Sequence, residues 1–282
     1  MEIQQLTAIA SQVRRDILRM VAGANSGHPG GSLGCADFLT VLYFEIMQHR
    51  PDAFTMDGNG EDLFFLSNGH ISPVWYSILS RSGYFPTEEL GTFRKLNARL
   101  QGHPSTDKKV PGVRMASGSL GQGLSVAIGA AQTKKLNNDP GTVFVLHGDG
   151  ELQEGSTWEA AMSAAHHRLD NLICLVDINN QQADGPSRQI LGFEPLADKW
   201  AAFGWHVQRV DGNDLAAVLA AFDAARALPD ARPRVILCDT LMGKGVPFLE
   251  TRDKNHFIRV DPPEWQQALA VLDQSQTAGA QA

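Results

Sequence analysis

Basic clusters are missing from this 282-residue sequence, and their absence narrows the possibilities at the outset. Lys and Arg number 24 against 31 Asp and Glu, giving a formal net charge of -7. A nucleic-acid groove or an anionic membrane surface needs clustered Lys and Arg to offset phosphate charge, so neither partner is expected. Cysteine is scarce too, at three residues. Cys174 and Cys238 lie inside apolar runs, where a thiol behaves as a small hydrophobe, and this usage fits a reducing cytoplasm. No apolar run approaches the length of a membrane span. Arg14, Arg15 and Asp16 interrupt the first periodic segment, so no signal peptide is expected there, and the expected location is the cytoplasm.

What is present is ample apolar material, 43% of the chain, enough for a full core. One domain over residues 1–272 is expected. The segment 273–282, rich in Gln, Ala, Gly and Ser without periodicity, is expected to fray. Leu6, Ile9, Val13, Ile17, Met20 and Val21 recur at helical spacing and predict an amphipathic helix ending near Gly23. A Gly-rich loop over 25–31, excluded from helix by its composition, precedes a helix over 35–47. Short apolar runs at 63–66, 143–146, 172–176, 206–210 and 235–238 read as buried strands. Between them the spacing predicts helices near 73–80, 120–135, 157–166, 196–203 and 215–227. Strand-helix-strand repetition implies an α/β fold, a parallel sheet with helices on both faces. In such sheets ligands sit at the carboxyl ends of the strands.

One of those ends carries His147-Gly148-Asp149-Gly150-Glu151, directly after the 143–146 run. The glycines permit close backbone approach, and free N–H groups at the following helix start suit an anion. Asp149 is the discriminating residue. A carboxylate where a diphosphate binds repels it unless a cation lies between them, and Mg²⁺ commonly combines one or two carboxylates with phosphate oxygens. Residues 151–178 suffice for one helix and a return strand, which brings Asn179-Asn180 beside Asp149 in a parallel sheet. The side-chain oxygen of Asn179 and the carbonyl of Gln181 complete the expected ligands. Taken singly, the glycine turn and the Asn pair are ordinary loops; together, one crossover apart, they form a site. A dinucleotide fingerprint fails, because neither Gly148-Asp149-Gly150 nor Gly121-Gln122-Gly123 has the third glycine of G-x-G-x-x-G. A zinc site from His147, Asp149, His166 and His167 is weak, since adjacent histidines do not share one helix face.

The pairing of Gly148-Asp149-Gly150 with Asn179-Asn180 resembles the thiamine diphosphate motif. Four further segments, Ser26-Gly27-His28-Pro29-Gly30, Ser67-Asn68-Gly69-His70, Gly102-His103-Pro104 and Gly118-Ser119-Leu120-Gly121-Gln122-Gly123, in this order, resemble transketolases. The resemblance runs from about Leu6 to Asp261 and implies the thiamine diphosphate-binding fold. It implies that Asp149, Asn179 and Gln181 hold Mg²⁺, with Ca²⁺ or Mn²⁺ as substitutes, and that Gly148, Asp149, Gly150, Glu151, Asn179, His70 and His256 surround the diphosphate. Gly118 then accepts a hydrogen bond from the aminopyrimidine, Leu120 packs on the cofactor, and His28, His103 and His256 serve the substrate's oxygens. His256 lies in Lys254-Asn255-His256-Phe257, which departs from the Trp-His-Gly context of the family, and Gln181-Gln182-Ala183 replaces a more apolar segment.

By the same resemblance, the pyrimidine-binding half, with the glutamate that activates the cofactor, belongs to a second chain. The expected protein is the N-terminal subunit of a split transketolase, in an A2B2 heterotetramer, moving a two-carbon ketol unit from a ketose to an aldose. Two alternatives stand beside it: the α subunit of a thiamine-dependent 2-oxo acid dehydrogenase, and a cofactor-binding module without catalysis. Glu154 is expected at an interface with a neighbouring active site. Lys244 lies in a glycine-flanked loop, as a phosphate attractor or plain surface. His147, His166, His167 and His206 read as structural.

Overall fold

The computed structural model describes residues 1–252, 255–257 and 261–279. The chain opens with α1 (Ile3–Ala24), α2 (Pro29–Gly34) and α3 (Ala36–Val41), the last running into a π-helical turn at Leu42–Ile46. There follow β1 (Leu63–Leu66), α4 (Ser72–Arg81), α5 (Gly123–Leu136), β2 (Val143–Gly148), α6 (Gly155–His166) and β3 (Leu172–Ile178). A two-residue ladder joins β4 (Gln181–Gln182) to β5 (Gly185–Pro186) ahead of α7 (Ser187–Ile190) and α8 (Leu196–Ala202). The remaining elements are β6 (His206–Asp211), α9 (Leu215–Ala227), β7 (Arg234–Asp239), α10 (Pro247–Glu250) and α11 (Pro262–Gly279).

Five strands form one sheet in the order β1-β2-β3-β7-β6, every pair parallel. Alternation along the strands divides the core in two, as the period of two requires. Phe64, Leu66, Phe144, Leu146, Ile173, Leu175, Ile236 and Cys238 point to the layer of α1, α3, α4, α9 and α11. Leu63, Phe65, Val143, Val145, Cys174, Val176, Val235 and Leu237 point to α5, α6 and α8, where Trp200 and Trp205 are fully buried. Both faces are therefore covered, which is why the strands read as continuous apolar runs. The register sets Gly148 beside Asp177 and Ile178 beside Asp239, so the ends of β2, β3 and β7 lie level.

Three expectations change. Pro29-Gly30-Gly31 begins a helix instead of lying in loop. Proline at the first helical position loses only an N–H that has no intrahelical partner. The glycine is needed for contact: a Cβ at Gly30 would come within 2.2 Å of the Asn255 carbonyl. The helix expected from 120 begins at Gly123, because Gly118 and Gly121 have φ of 137° and 80° and leave residues 118–122 as a turn. The Asp149 turn does not open α6 directly; a 3₁₀ turn over Gly150–Gln153 comes first. α11 includes 273–279 of the segment expected to fray, and 280–282 lie outside the described residues. Among the described residues, no helix is long and apolar enough to cross a membrane.

Candidate functional site

The site gathers at the carboxyl ends of β1, β2, β3 and β7. Asp149 is 1% exposed, and its oxygens accept from the Gly150 N–H at 2.7 Å and the Asn180 N–H at 2.7 Å. Asn180 adopts φ 60°, the left-handed turn that asparagine tolerates, and this aims its N–H back at Asp149. Asn179 donates from Nδ2 to Asp177 Oδ2 at 2.7 Å, while its Oδ1 accepts from the Gln181 N–H at 3.0 Å. Asp177 is itself buried and takes the Thr240 hydroxyl and the Cys35 thiol as further partners. Burial, then the nearby Asp177 charge, push the Asp149 carboxyl up to about 7, and burial raises Asp177 as well. Two buried carboxylates, Asp149 and Asp177, flanked by Asn179 and Asn180 form an anionic nest that a hard cation relieves.

The histidines are tied to the loop after Asn179 through Asn255, whose N–H donates to Gln181 Oε1. The rings of His28, His70 and His256 form a triangle with centroid separations of 5.0, 5.0 and 5.4 Å, and Phe257 lies 4.9 Å from His28. His103 comes in from the 102–104 loop; a Cβ at Gly118 would lie 3.2 Å from its ring. Burial first, then the charge of neighbouring histidines, depresses His28 to about 3 and His70 to about 4. Burial also lowers His256 and His103. All four are therefore neutral imidazoles near pH 7, each with one donor and one acceptor. His28 Nδ1 and His256 Nδ1 are buried and bonded to no protein group, as are Ser117 Oγ, Gln182 Nε2 and both amide atoms of Asn68. Unpaired buried polar atoms are costly, and so many around one pocket fit a polar, multiply charged ligand. The donor set thus suits a diphosphate bridged by a cation.

Glu151 does not join that pocket. Its carboxylate turns inward, 2% exposed, and accepts from the Ser67 hydroxyl, the Gly121 N–H at 2.7 Å and the Gly148 N–H at 3.2 Å, with His147 Nδ1 at 3.3 Å. It braces three site loops from beneath, because its acceptor capacity is spent on them. Leu120 sits in the turn beside Gly121, and Gln181 begins the short ladder of β4. Asn255 anchors His256: its N–H donates to Gln181 Oε1 at 3.2 Å and its amide to the Leu249 carbonyl. Arg94, in a left-handed conformation at φ 58°, bonds Ser26 at 3.0 Å and packs where a Gly102 Cβ would lie, linking the loops of His28 and His103. Asp177, Asn255 and Arg94 were not anticipated; only Asp177, a lone acid closing an apolar run, left a trace in the sequence. The zinc alternative gains no support, since His147 is buried against Glu151 while His166 and His167 are exposed at the end of α6.

The fold and this site define a class, a parallel α/β domain that grips a diphosphate at its strand ends. Residues 6–269 match the family described as transketolase, thiamine diphosphate binding domain. A putative transketolase family protein of Sinorhizobium fredii is 46% identical over 269 residues, 95% of each chain. The 6-deoxy-6-sulfo-D-fructose transketolase subunit of a Clostridium species is 38% identical over 264 residues, 94% of each. Transketolase from Campylobacter jejuni superposes with a TM-score of 0.84 at 30% identity, over 100% of this chain and 48% of that one. The chain thus spans about half the length of that solved enzyme. It belongs to the transketolase family, as a thiamine diphosphate-binding domain, and the 2-oxo acid dehydrogenase alternative is set aside.

Proposed function

We propose that the chain is the cofactor-binding subunit of a two-chain, cytoplasmic transketolase, paired with a chain that carries the pyrimidine-binding half in an A2B2 assembly. The observation that carries this reading is the tie between the Asp149–Asp177 nest and the neutral histidine triangle, made where Asn255, next to His256, donates its N–H to Gln181 Oε1 in the loop that follows Asn179. The subunit name of the Clostridium relative, matched along nearly its whole length, supports a separate partner. Mg²⁺ is held by Asp149, Asn179 and the Gln181 carbonyl, with Ca²⁺ or Mn²⁺ as substitutes. Gly150, His70 and His256 hold the diphosphate, Gly118 accepts from the aminopyrimidine, and Leu120 packs against the ring. When bound, thiamine diphosphate supplies the carbon nucleophile and electron sink that ketol transfer requires.

The protein's own part is to bind, orient and exchange protons. Neutral His28 and His103 donate to or accept from hydroxyl and carbonyl oxygens of the sugar without adding charge, and His28 Nδ1 has no protein partner to compete. The partly buried surroundings of His28 strengthen its contacts more than those of exposed His103. Exposed Glu154, beside the Gly121 turn, reaches a neighbouring subunit's site, while Lys244, expected as a phosphate attractor or plain surface, lines a depression with Arg14, Asp37 and Asn213 that includes none of the site residues. The donor is a ketose phosphate or a branched or sulfonated relative. The test is purification with the co-purifying partner followed by a donor and acceptor screen. Ketol transfer by the complex, and none by either chain alone, is expected. Pyruvate decarboxylation without ketol transfer, or cofactor binding with no turnover in any complex, would overturn the reading.

A further inference from the structure

We propose that Asn68 is a further cofactor contact, donating through Nδ2 to an oxygen of the diphosphate; this rests on the thiamine diphosphate reading above. Asn68 follows the end of β1, is 1% exposed, and has no hydrogen bond at either Nδ2 or Oδ1. Its position makes this unusual. It directly precedes the 3₁₀ turn Gly69–Ile71, where an asparagine side chain ordinarily caps the free N–H groups, yet its side chain caps nothing and only its carbonyl accepts, from Ile71 at 3.1 Å. The neighbouring Ser67, by contrast, is fully engaged with Glu151 and the Gly123 N–H.

The sheet explains where the amide is directed. β1 pairs with β2 so that Leu66 lies beside Leu146, which brings Asn68 level with Gly148. A Cβ at Gly148 would lie 3.6 Å from Asn68 Nδ2, so the amide rests on the turn that carries Asp149 and Gly150. A diphosphate held at that turn offers the oxygen acceptors the amide lacks, and a hydrogen bond to a charged group is among the stronger kinds. A residue kept only for packing would be better served there by an apolar side chain of the same shape. An amide kept for the ligand makes the opposite trade, weakening the ligand-free chain and strengthening the bound one.

Asn68→Leu separates the two, because leucine keeps the volume and removes both polar atoms. The full chain, with its partner subunit where one co-purifies, is titrated with thiamine diphosphate at fixed Mg²⁺, and separately with inorganic pyrophosphate and Mg²⁺. Thermal unfolding is followed without either ligand. The ligand-free midpoint is expected at or above that of the unaltered chain, while affinity for both ligands falls roughly 10- to 100-fold. Asn68→Asp, which keeps the shape and sets a carboxylate against phosphate, loses more affinity than Asn68→Leu and provides the second variant should the first fold poorly. Unchanged affinity in either folded variant overturns the proposal. So does loss confined to thiamine diphosphate with pyrophosphate binding intact, which would move the contact to the ring. Failure of the unaltered chain and complex to bind thiamine diphosphate with Mg²⁺ would overturn the underlying reading as well, and is told apart by that control.

Discussion

The histidine triangle makes stability depend on pH in a direction its burial fixes. His28 and His70 stay neutral in the folded chain down to about 3 and about 4, whereas in the unfolded chain they protonate near 6.5. Below pH 6.5 the unfolded chain therefore binds more protons, so the stability these groups contribute is complete above that value and is lost as pH falls. Integrating the linkage from pH 6.5 to pH 5 gives about 1.7 kcal/mol for each histidine and about 3 kcal/mol for the pair. His103 and His256, both lowered by burial, add in the same direction. Urea unfolding of the chain at the two pH values measures the sum, and a His28→Asn/His70→Asn double variant isolates the pair from the carboxylates that also titrate. The unaltered chain should lose about 3 kcal/mol more than the variant across that interval. Equal losses would refute the claim that the triangle is held neutral by its surroundings.

Two further perturbations test the frame of the site. Gly30→Ala places a methyl 2.2 Å from the Asn255 carbonyl, and Gly30 O also receives the Gly243 N–H at 2.9 Å, so the His28 and His256 loops must separate. A cost of about 1–3 kcal/mol in thermal or urea unfolding is expected, with weakened cofactor affinity; unchanged values for both would show that this contact is not needed. Asp149→Ala removes the acid at the centre of the nest. With Mg²⁺ and thiamine diphosphate at about 100 times their dissociation constant, calorimetry should find the unaltered chain stabilised by about 2.7 kcal/mol and the variant by none; equal stabilisation would remove Asp149 from the cation site.

The strands were legible because each is buried on both faces and so reads as an unbroken apolar run, and their parallel pairing followed from alternation with helices, whereas the order β1-β2-β3-β7-β6 is set by packing that no local pattern records. The Asp149 and Asn179 pairing was legible for a related reason. Strand ends in a parallel sheet lie level, so a single crossover is enough to bring two motifs together. Local rules failed where tertiary contact decides. Pro29-Gly30-Gly31 looks like a breaker until the Asn255 carbonyl is seen to occupy the space a side chain would need.

Glu151 was grouped with the cofactor ligands through its place beside Gly150, but backbone direction after the turn sends it inward, and nothing in its neighbours' identities records that. Arg94 and Asn255 hold site loops from segments distant in sequence, 68 residues in the case of the Arg94–Ser26 bond. Residues that touch a ligand are constrained by that ligand's chemistry, and so their type alone carries a signal. Residues that position others are constrained only by where the fold delivers them. A charged side chain in this second group looks like surface until its partners are known. The same division accounts for Asn68, which sits inside a recognisable motif yet is distinguished only by the bonds it does not make. The difference between a packing residue and a ligand contact at that position is the sign of its effect on the ligand-free chain, which sequence does not encode and a single unfolding curve reads directly.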